Sequence, residues 1–326
     1  MTIRIGKKQS YLIGLLYFCW LMEKMRIVFM GTPEFAVASL QALVEAGYNI
    51  VGVITAPDKP MGRGKKLGAS AVKDYALSQN LNILQPTNLK EPEFLAELKN
   101  LNADLQIVVA FRMLPEAVWD MPHLGSYNLH GSLLPDYRGA APINWAIING
   151  EKETGVTTFK LKHEIDTGNI LFQEKEPINY EDNVGTVYER LMQRGAKLIV
   201  KTVEAIASEN IELQPQDTSK GSKHAPKIFR EDCEINWDQH SEKIRDFIRG
   251  LSPYPAAWTR LHDLTFKIYQ AEVSDKTYNQ TGGTFQSDNK TYLDVVTADG
   301  ALTLKEVQLQ GKKRMSIEDF LRGYTV

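Results

Sequence analysis

Two cysteines in 326 residues, Cys19 and Cys233, leave neither a disulfide framework nor a cysteine-rich metal cluster to build on. That scarcity fits a reducing compartment. Charge of one sign is lacking as well. The 38 Lys and Arg stand against 40 Asp and Glu for a formal net charge of -2, so bulk charge does not coat a nucleic acid, and any contact with one must use local patches. The dinucleotide fingerprint G-x-G-x-x-G needs three glycines, for the turn, the pyrophosphate approach and helix packing, whereas only Gly31 follows the first strand-like run. No G-x-x-x-x-G-K-[ST] occurs either, so the sequence argues against NAD and ATP sites. Apolar runs long enough for a standard membrane span are absent. Residues 11–22, preceded by Arg4, Lys7 and Lys8, have the outline of a signal peptide, but no small-residue cleavage site follows and Tyr17-Phe18 are not the residues expected ahead of a lipidated cysteine. The expectation is that Met25 is the natural start and that residues 1–24 are an upstream extension outside the fold.

What is present sets the architecture. A chain of this length suits two domains, and its apolar content of 43% is ample for their cores. Residues 26–30 read as a buried strand, and Gly31-Thr32-Pro33-Glu34 turns it into a helix, with Thr32 the expected N-cap and Pro33 at the first helical position. Residues 35–46 carry helical apolar spacing and 49–55 form the next strand, a βαβ unit that requires a parallel pair. Helices at 70–79 and 92–101 and strands at 82–84 and 105–110 continue the alternation. The class is α/β, with a doubly wound, mostly parallel sheet. Further strands at 154–161 and 170–178 lead to a long amphipathic helix at 184–208, with Val187, Leu191, Leu198 and Ile199 at helical spacing. Residues 214–230 read as a polar linker carrying Lys220, Lys223, Lys227 and Arg230; these cations face either nucleic-acid phosphates or solvent, and linker position alone does not choose. From residue 231 the texture changes to a helix at 241–250 and short strands at 256–260, 265–273, 291–296 and 301–307, with Asp299-Gly300 as a hairpin turn, which suits a small β-barrel.

The chemistry concentrates around residue 130. Asn128 and His130 are two apart in a strand, so their side chains leave one face and converge. An amide donor and an imidazole aimed at one atom hold a developing oxyanion, and a carboxylate such as Asp166 orients the imidazole and keeps it protonated. A lone histidine is more often a hydrogen-bonded structural residue. What lifts this pair is its setting, since Gly131-Ser132-Leu133-Leu134-Pro135 and then residues 136–142 make a Gly- and Pro-punctuated loop at the carboxyl end of a strand, where open α/β sheets place their ligands. Asp166-Thr167-Gly168 also matches the aspartic protease motif. That chemistry needs two carboxylates sharing a proton; the chain holds one copy, and a self-associated pair would leave Asn128 and His130 unexplained.

Taken together, Asn128, His130, the Ser132 to Pro135 segment, the Tyr137-Arg138-Gly139-x-Ala141-Pro142 run and the distant Asp166-Thr167-Gly168 resemble the signature of the 10-formyltetrahydrofolate-dependent formyltransferases. Three further stretches are similar to the branch whose acceptor is methionyl-initiator tRNA: Arg26-Ile27-Val28-Phe29-Met30-Gly31-Thr32-Pro33 with Phe35-Ala36; Pro57-Asp58-Lys59-Pro60-x-Gly62-Arg63-Gly64-Lys65-Lys66-Leu67; and His224-Ala225-Pro226-Lys227 ahead of Ile235-Asn236-Trp237. The likeness runs from residue 25 to the C-terminus. It implies a Rossmann-type catalytic domain over 25–213, a linker over 214–230 and an OB-like, tRNA-binding domain over 231–326. It implies transfer of a formyl group from 10-formyltetrahydrofolate to the α-amino group of the tRNA-bound methionine, without a metal. Asn128, His130 and Asp166 would be catalytic, and Ser132, Leu133, Leu134 and Pro135 would meet the folate. The basic, glycine-hinged loop at 56–69 is by composition either solvated or RNA-binding; the resemblance assigns Lys59, Arg63, Lys65 and Lys66 to the tRNA, with Arg63, the planar fork, as the residue whose loss should hurt most.

The implied protein is a cytoplasmic monomer with no DNA and no membrane partner. Branches acting on glycinamide ribonucleotide or on an amino-sugar nucleotide fit less well, the first lacking a comparable C-terminal domain and the second not expected to carry Gly62-Arg63-Gly64-Lys65-Lys66-Leu67. One departure stands out. Family members commonly carry a Tyr-Gly pair and one more residue where this chain reads Ala110-Phe111-Arg112-Met113-Leu114-Pro115, and Arg112 either reaches the folate glutamate tail or sits on the surface. Two rival readings are an RNA-binding protein with a disused transferase fold, opposed by the intact Asn128, His130 and Asp166 set, and a hydrolase that releases formate from the same donor.

Overall fold

The computed structural model describes residues 25–61, 66–219 and 223–326. The expected extension over 1–24, the loop residues Gly62 to Lys65, among them Arg63 and Lys65, and Lys220 lie outside the described residues. Among those described, β1 (Arg26–Gly31) is buried from Ile27 onward, as an apolar run without alternation demands, and it lies inside a seven-stranded sheet. The chain continues through α1 (Glu34–Glu45), β2 (Asn49–Ile54), β3 (Lys59–Met61), β4 (Lys66–Gly68), α2 (Ala71–Ser78), β5 (Ile83–Leu84), α3 (Pro92–Asn100) and β6 (Leu105–Val109). Then come α4 (Glu116–Trp119), β7 (Ser126–His130), β8 (Arg138–Gly139), α5 (Pro142–Ile148), β9 (Glu153–Lys160), β10 (Ile170–Pro177) and α6 (Val184–Ala207). The sheet order is β10-β9-β7-β6-β1-β2-β5. Strands β5, β2, β1, β6 and β7 run parallel, and β9 turns antiparallel on β7. This is the doubly wound, mostly parallel sheet that the alternation of strands and helices required. Its order reverses between β1 and β6, and ligands in open α/β sheets bind outside the carboxyl ends of strands at such a reversal.

Helix starts follow local chemistry, with one difference. Ser70 caps α2 by accepting from the Lys73 N–H at 3.1 Å. At α1 the cap is Pro33 and not Thr32: Pro33 is extended (φ -81°, ψ 175°), makes no side-chain cap bond, and the helix begins at Glu34. The ring fixes φ in a range that an extended cap accepts as readily as a first turn does, so the proline shifted the start by one residue. Packing obeys the apolar spacing. Helix α3 buries Phe94 and Leu98, four apart, against Val28, Met30, Ile54 and Val108, and each such side chain removed from water contributes about 1.5–3 kcal/mol. Along α6, Val187, Leu191, Leu198 and Ile199 are all fully buried.

By compactness the chain divides into two units. The first holds the described residues up to Pro135, Gly155–Lys175 and those from Arg190 to 219; the second holds Asp136–Thr154, Glu176–Glu189 and Lys223–Val326. In the second, β11 (His224–Ala225) pairs parallel with β8. A helix, α7 (Ser241–Leu251), precedes β12 (Ala257–Leu261), β13 (Leu264–Ser274), β14 (Phe285–Ser287), β15 (Leu293–Val296), β16 (Ala301–Leu309), β17 (Met315–Ser316) and α8 (Ile317–Leu321). These strands form an antiparallel sheet in the order β12-β13-β16-β15-β14, with β17 on β16. Ladder irregularities around Gln270 put bulges in β13, and bulges increase the twist that curls a small sheet. Ile244, Ile248, Phe266, Leu302, Leu304 and Phe320 make its core. No helix among the described residues is long and apolar enough to cross a membrane.

Candidate active site

Strand β7 ends where the site begins. Asn128 pairs with Val108 on one side and Phe159 on the other, and His130 stands opposite Thr157 of β9. Both side chains therefore leave one face at the carboxyl end of a central strand, as the two-residue spacing demanded. His130 is 6% exposed. Its Nδ1 stands 3.9 Å from Oδ2 of Asp166, ion-pair range rather than hydrogen-bond range, so the carboxylate faces the Nδ1 edge of the imidazole. The Asn128 carboxamide is half-buried and has no hydrogen-bond partner among the described residues. Its amide hydrogens are thus available to an incoming carbonyl oxygen.

Asp166 reaches this place through a constrained turn between β9 and β10. Its backbone is left-handed (φ 53°). Gln216 clasps the turn by donating Nε2 to the carbonyls of Asp166 and Gly168, both at 2.8 Å. Gly168 is dictated by space: a Cβ there would lie 1.7 Å from the Lys160 carbonyl oxygen. The third residue of Asp-Thr-Gly is glycine because the turn presses against β9, which itself pairs with the strand bearing Asn128 and His130.

The segment after β7 is braced by two side chains. Thr157 donates its hydroxyl to the Ser132 carbonyl at 2.6 Å and accepts from the Leu134 N–H at 3.2 Å. Gln173 of β10 donates Nε2 to the Leu134 carbonyl at 2.8 Å and to Thr157 Oγ1 at 2.9 Å. Ser132 and Leu134 are buried, whereas Leu133 and Pro135 keep partial exposure, so what the segment offers a ligand is backbone and apolar surface. Thr157, Gln173 and Gln216 were not singled out in the sequence. Strand β9 is buried on both faces, so no alternation singled out Thr157, and Gln216 sits in a stretch whose polarity read as linker.

The other sequence candidates scatter by role. Arg112 sits on the surface; its guanidinium donates to the backbone carbonyls of Pro86 and Thr87, tying down the loop between β5 and α3, and partial desolvation lowers its pKa. The basic loop is a hairpin at its base: Lys59 pairs with Gly68, Pro60 with Leu67 and Met61 with Lys66. Lys59 is exposed there, and the side chain of Lys66 lies outside what is described. Asp58 anchors the hairpin, accepting from Lys73 Nζ at 2.6 Å and Gln85 Nε2 at 2.8 Å; these bonds hold its carboxyl below the usual range. In the second unit the Tyr137-Arg138-Gly139 run builds the β8–β11 ladder, where Gly139 (φ 125°) lies so close that a Cβ would come 2.4 Å from the Ala225 carbonyl oxygen. Tyr137 donates its hydroxyl to Glu151 at 2.6 Å, and Lys223 pairs with the same carboxylate. Burial first, then this hydrogen bond, pushes the Tyr137 hydroxyl well above the usual tyrosine range.

Comparison with known proteins converges on the same chemistry. The formyl transferase family matches residues 25–203, and the formyl transferase C-terminal domain matches 227–325. The methionyl-tRNA formyltransferase of Parabacteroides distasonis is 57% identical over 312 residues, covering 93% of this chain and 96% of its own length. That of Flavobacterium johnsoniae is 50% identical over 308 residues, with 93% and 98% covered. Among solved structures, an N-formyltransferase from Helicobacter canadensis in complex with folinic acid and dTDP-3-aminofucose matches with a TM-score of 0.64 at 22% identity, covering 89% of this chain and 100% of that one. HypX from Aquifex aeolicus in complex with tetrahydrofolic acid matches with a TM-score of 0.62 at 18% identity, covering 92% of this chain and 48% of its own. Those two likenesses are of fold; the sequence matches carry the kinship, and the chain belongs to the formyl transferase family, in its methionyl-tRNA formyltransferase branch.

Proposed function

We propose that this chain transfers the formyl group of 10-formyltetrahydrofolate to the α-amino group of methionyl-initiator tRNA, giving N-formylmethionyl-tRNA for the start of translation. The observation that carries the reading is an Asn128 carboxamide without a hydrogen-bond partner among the described residues, on the same strand face as His130 of the His130–Asp166 pair at the carboxyl end of β7, in a chain about half identical to methionyl-tRNA formyltransferases over most of its length. The donor supplies an activated one-carbon carbonyl. Attack on it by an uncharged amine puts negative charge on the carbonyl oxygen. Asn128 donates an amide hydrogen to that oxygen, and His130 donates from a ring N–H. Asp166 orients the imidazole and relays the proton that the amine gives up to N10 of the folate, and the adduct collapses as the bond between the formyl carbon and N10 breaks and tetrahydrofolate leaves. A carbonyl oxygen is the partner the Asn128 amide lacks.

Ser132, Leu133, Leu134 and Pro135 hold the folate through backbone groups and apolar surface. Lys59, Arg63, Lys65 and Lys66 meet the phosphates of the tRNA acceptor stem, with Arg63 offering the bidentate fork that lysine does not. The protein works as a monomer in the cytoplasm, where both substrates reside. Labelled 10-formyltetrahydrofolate tests the reading directly. Label should pass to methionyl-tRNA and not to glycinamide ribonucleotide or an amino-sugar nucleotide. Release of labelled formate at the same rate without an amine acceptor would make the protein a hydrolase, and tRNA binding with no turnover of the donor would make it a binding protein on a disused fold.

A further inference from the structure

Within the second unit, an open cavity of about 420 Å³ is walled by Phe229, Tyr254 and Trp258 and by the cations Lys227, Arg230 and Lys267, with no carboxylate in its lining. Its volume falls in the range of roughly 300–1,000 Å³ that accommodates small organic ligands. Three cations line it, and the adjacent Asp232 carboxylate is engaged with the Phe229 N–H at 2.8 Å, so positive charge predominates on the wall itself.

The rings are presented to solvent. Tyr254 is 82% exposed and Phe229 is 55% exposed. Pro253 and Pro255 flank Tyr254, and their rings limit the backbone on both sides, so the phenol is held out by a stiff stretch of chain. Trp258 is set in place by its indole N–H, which donates to the Arg230 carbonyl at 3.0 Å. Lys267 donates one ammonium proton to the Pro255 carbonyl at 3.2 Å, which ties it to the backbone beside Tyr254 and leaves two protons for a ligand. The Lys227 ammonium stands 5.1 Å from the centroid of the Phe229 ring. Flat π-faces interleaved with cations suit a ligand that is itself a flat ring joined to an anion. An apolar peptide would use the rings and leave three charges to desolvate.

We propose that this cavity is a nucleotide subsite, in which an unpaired base of the tRNA substrate stacks on Tyr254 and Trp258 while its phosphate meets Lys227, Arg230 and Lys267. The proposal rests on the acceptor being a tRNA, as argued above, and adds where one of its nucleotides is held. Base stacking on an aromatic side chain is sequence-tolerant, so the subsite contributes affinity and position more than discrimination.

The test uses the full-length chain, filter binding to initiator tRNA and the labelled formylation assay. Tyr254→Ala removes a ring that is mostly in solvent, so the fold should persist, and a thermal melt checks this. Its Kd for tRNA should rise roughly 5- to 100-fold, with kcat at saturating tRNA and the KM for the folate donor unchanged, and Tyr254→Phe should restore binding because the π-face is kept. Lys227→Met should lower the slope of log K against log salt by about 0.7, the loss of one single-strand phosphate contact. Wild-type affinity in Tyr254→Ala alongside normal formylation would overturn the subsite and leave the activity standing. A wild-type chain that binds tRNA, weakens with Tyr254→Ala and never formylates would keep the subsite and overturn the activity.

Discussion

On the proposed reading, the segment at 131–135 and the hairpin whose described strands are 59–61 and 66–68 meet their ligands in opposite ways. Behind the first stand Thr157 and Gln173, which between them fix the Ser132 carbonyl and both backbone groups of Leu134. The hairpin is a two-stranded ribbon whose strands pair with each other and, among the described residues, with no strand of the main sheet. Such a ribbon is marginal alone, and its recorded anchor is Asp58 at the base. A small donor molecule that must present one carbonyl to Asn128 needs a preformed wall. A polyanion with many phosphates needs no such wall, because its affinity comes from summed charge and not from one fitted contact.

If that contrast holds, the largest effect belongs to the reaction centre. Asn128→Ala should slow the chemical step by roughly 100- to 1000-fold, about 2.7–4 kcal/mol in the barrier, while tRNA binding stays as it was. Single-turnover formylation with both substrates saturating measures it, and an unchanged rate would remove Asn128 from the mechanism. On the ribbon, Arg63→Ala should raise the KM for tRNA about tenfold or more, the worth of a charge-assisted contact of about 1.5–3 kcal/mol, with the donor KM unmoved. A shift in the donor KM instead would break the division between the two regions.

Thr157→Val probes the wall itself. The methyl replaces a hydroxyl that serves three hydrogen bonds, so each backbone group left buried without a partner costs about 1–3 kcal/mol unless water or Gln173 takes its place. Urea denaturation should register that loss, and the donor KM should rise while the tRNA Kd does not. Smaller again is Lys59→Ala, which removes one exposed cation: tRNA affinity should fall a few-fold, and the slope of log K against log salt should flatten by about 1.

The same contrast separates what is legible in the sequence from what only the fold brings together. Asn128, His130 and the strand beneath them were legible because a two-residue period and a Gly-Pro loop are local signals, and the strands around them were legible because buried runs such as Ile27 to Met30 have no other use. The Thr157 brace was not legible. Its partners at Ser132 and Leu134 are more than twenty residues away and meet it only through the β7–β9 ladder. The two-residue strands β8 and β11 depend likewise on a long-range pairing, so they lay unseen within 136–142, which read as loop, and 214–230, which read as linker. Helix α5 opens on Pro142, and the glycine and proline that punctuate the approach to it hid the helix that follows. In the hairpin, glycines and cations suggested a loop, and only the register of Lys59 on Gly68 reveals a ribbon. Thr32 was misjudged as a cap for a local reason, since Pro33 satisfies the extended cap geometry itself.

The smallest predicted effect decides how firmly the ribbon is tied. The Lys73 bond, and after it the Gln85 bond, hold the Asp58 carboxyl below its ordinary value of 3.8. A lowered carboxyl pKa stabilises the folded arrangement at every pH above the ordinary value, and that contribution is lost as pH falls through the lowered one. The tether is therefore intact at neutral pH and opens only in strong acid. Following the Asp58 carboxyl carbon by NMR should give a midpoint below 3.8 in the native chain, moving back up in Lys73→Ala. The pair is exposed, so its worth to global stability is slight and the titration is the sensitive readout. If Lys73→Ala leaves the midpoint in place, the hairpin base is not fastened through this pair, and the braced segment and the tethered hairpin would have to be distinguished by some other contact.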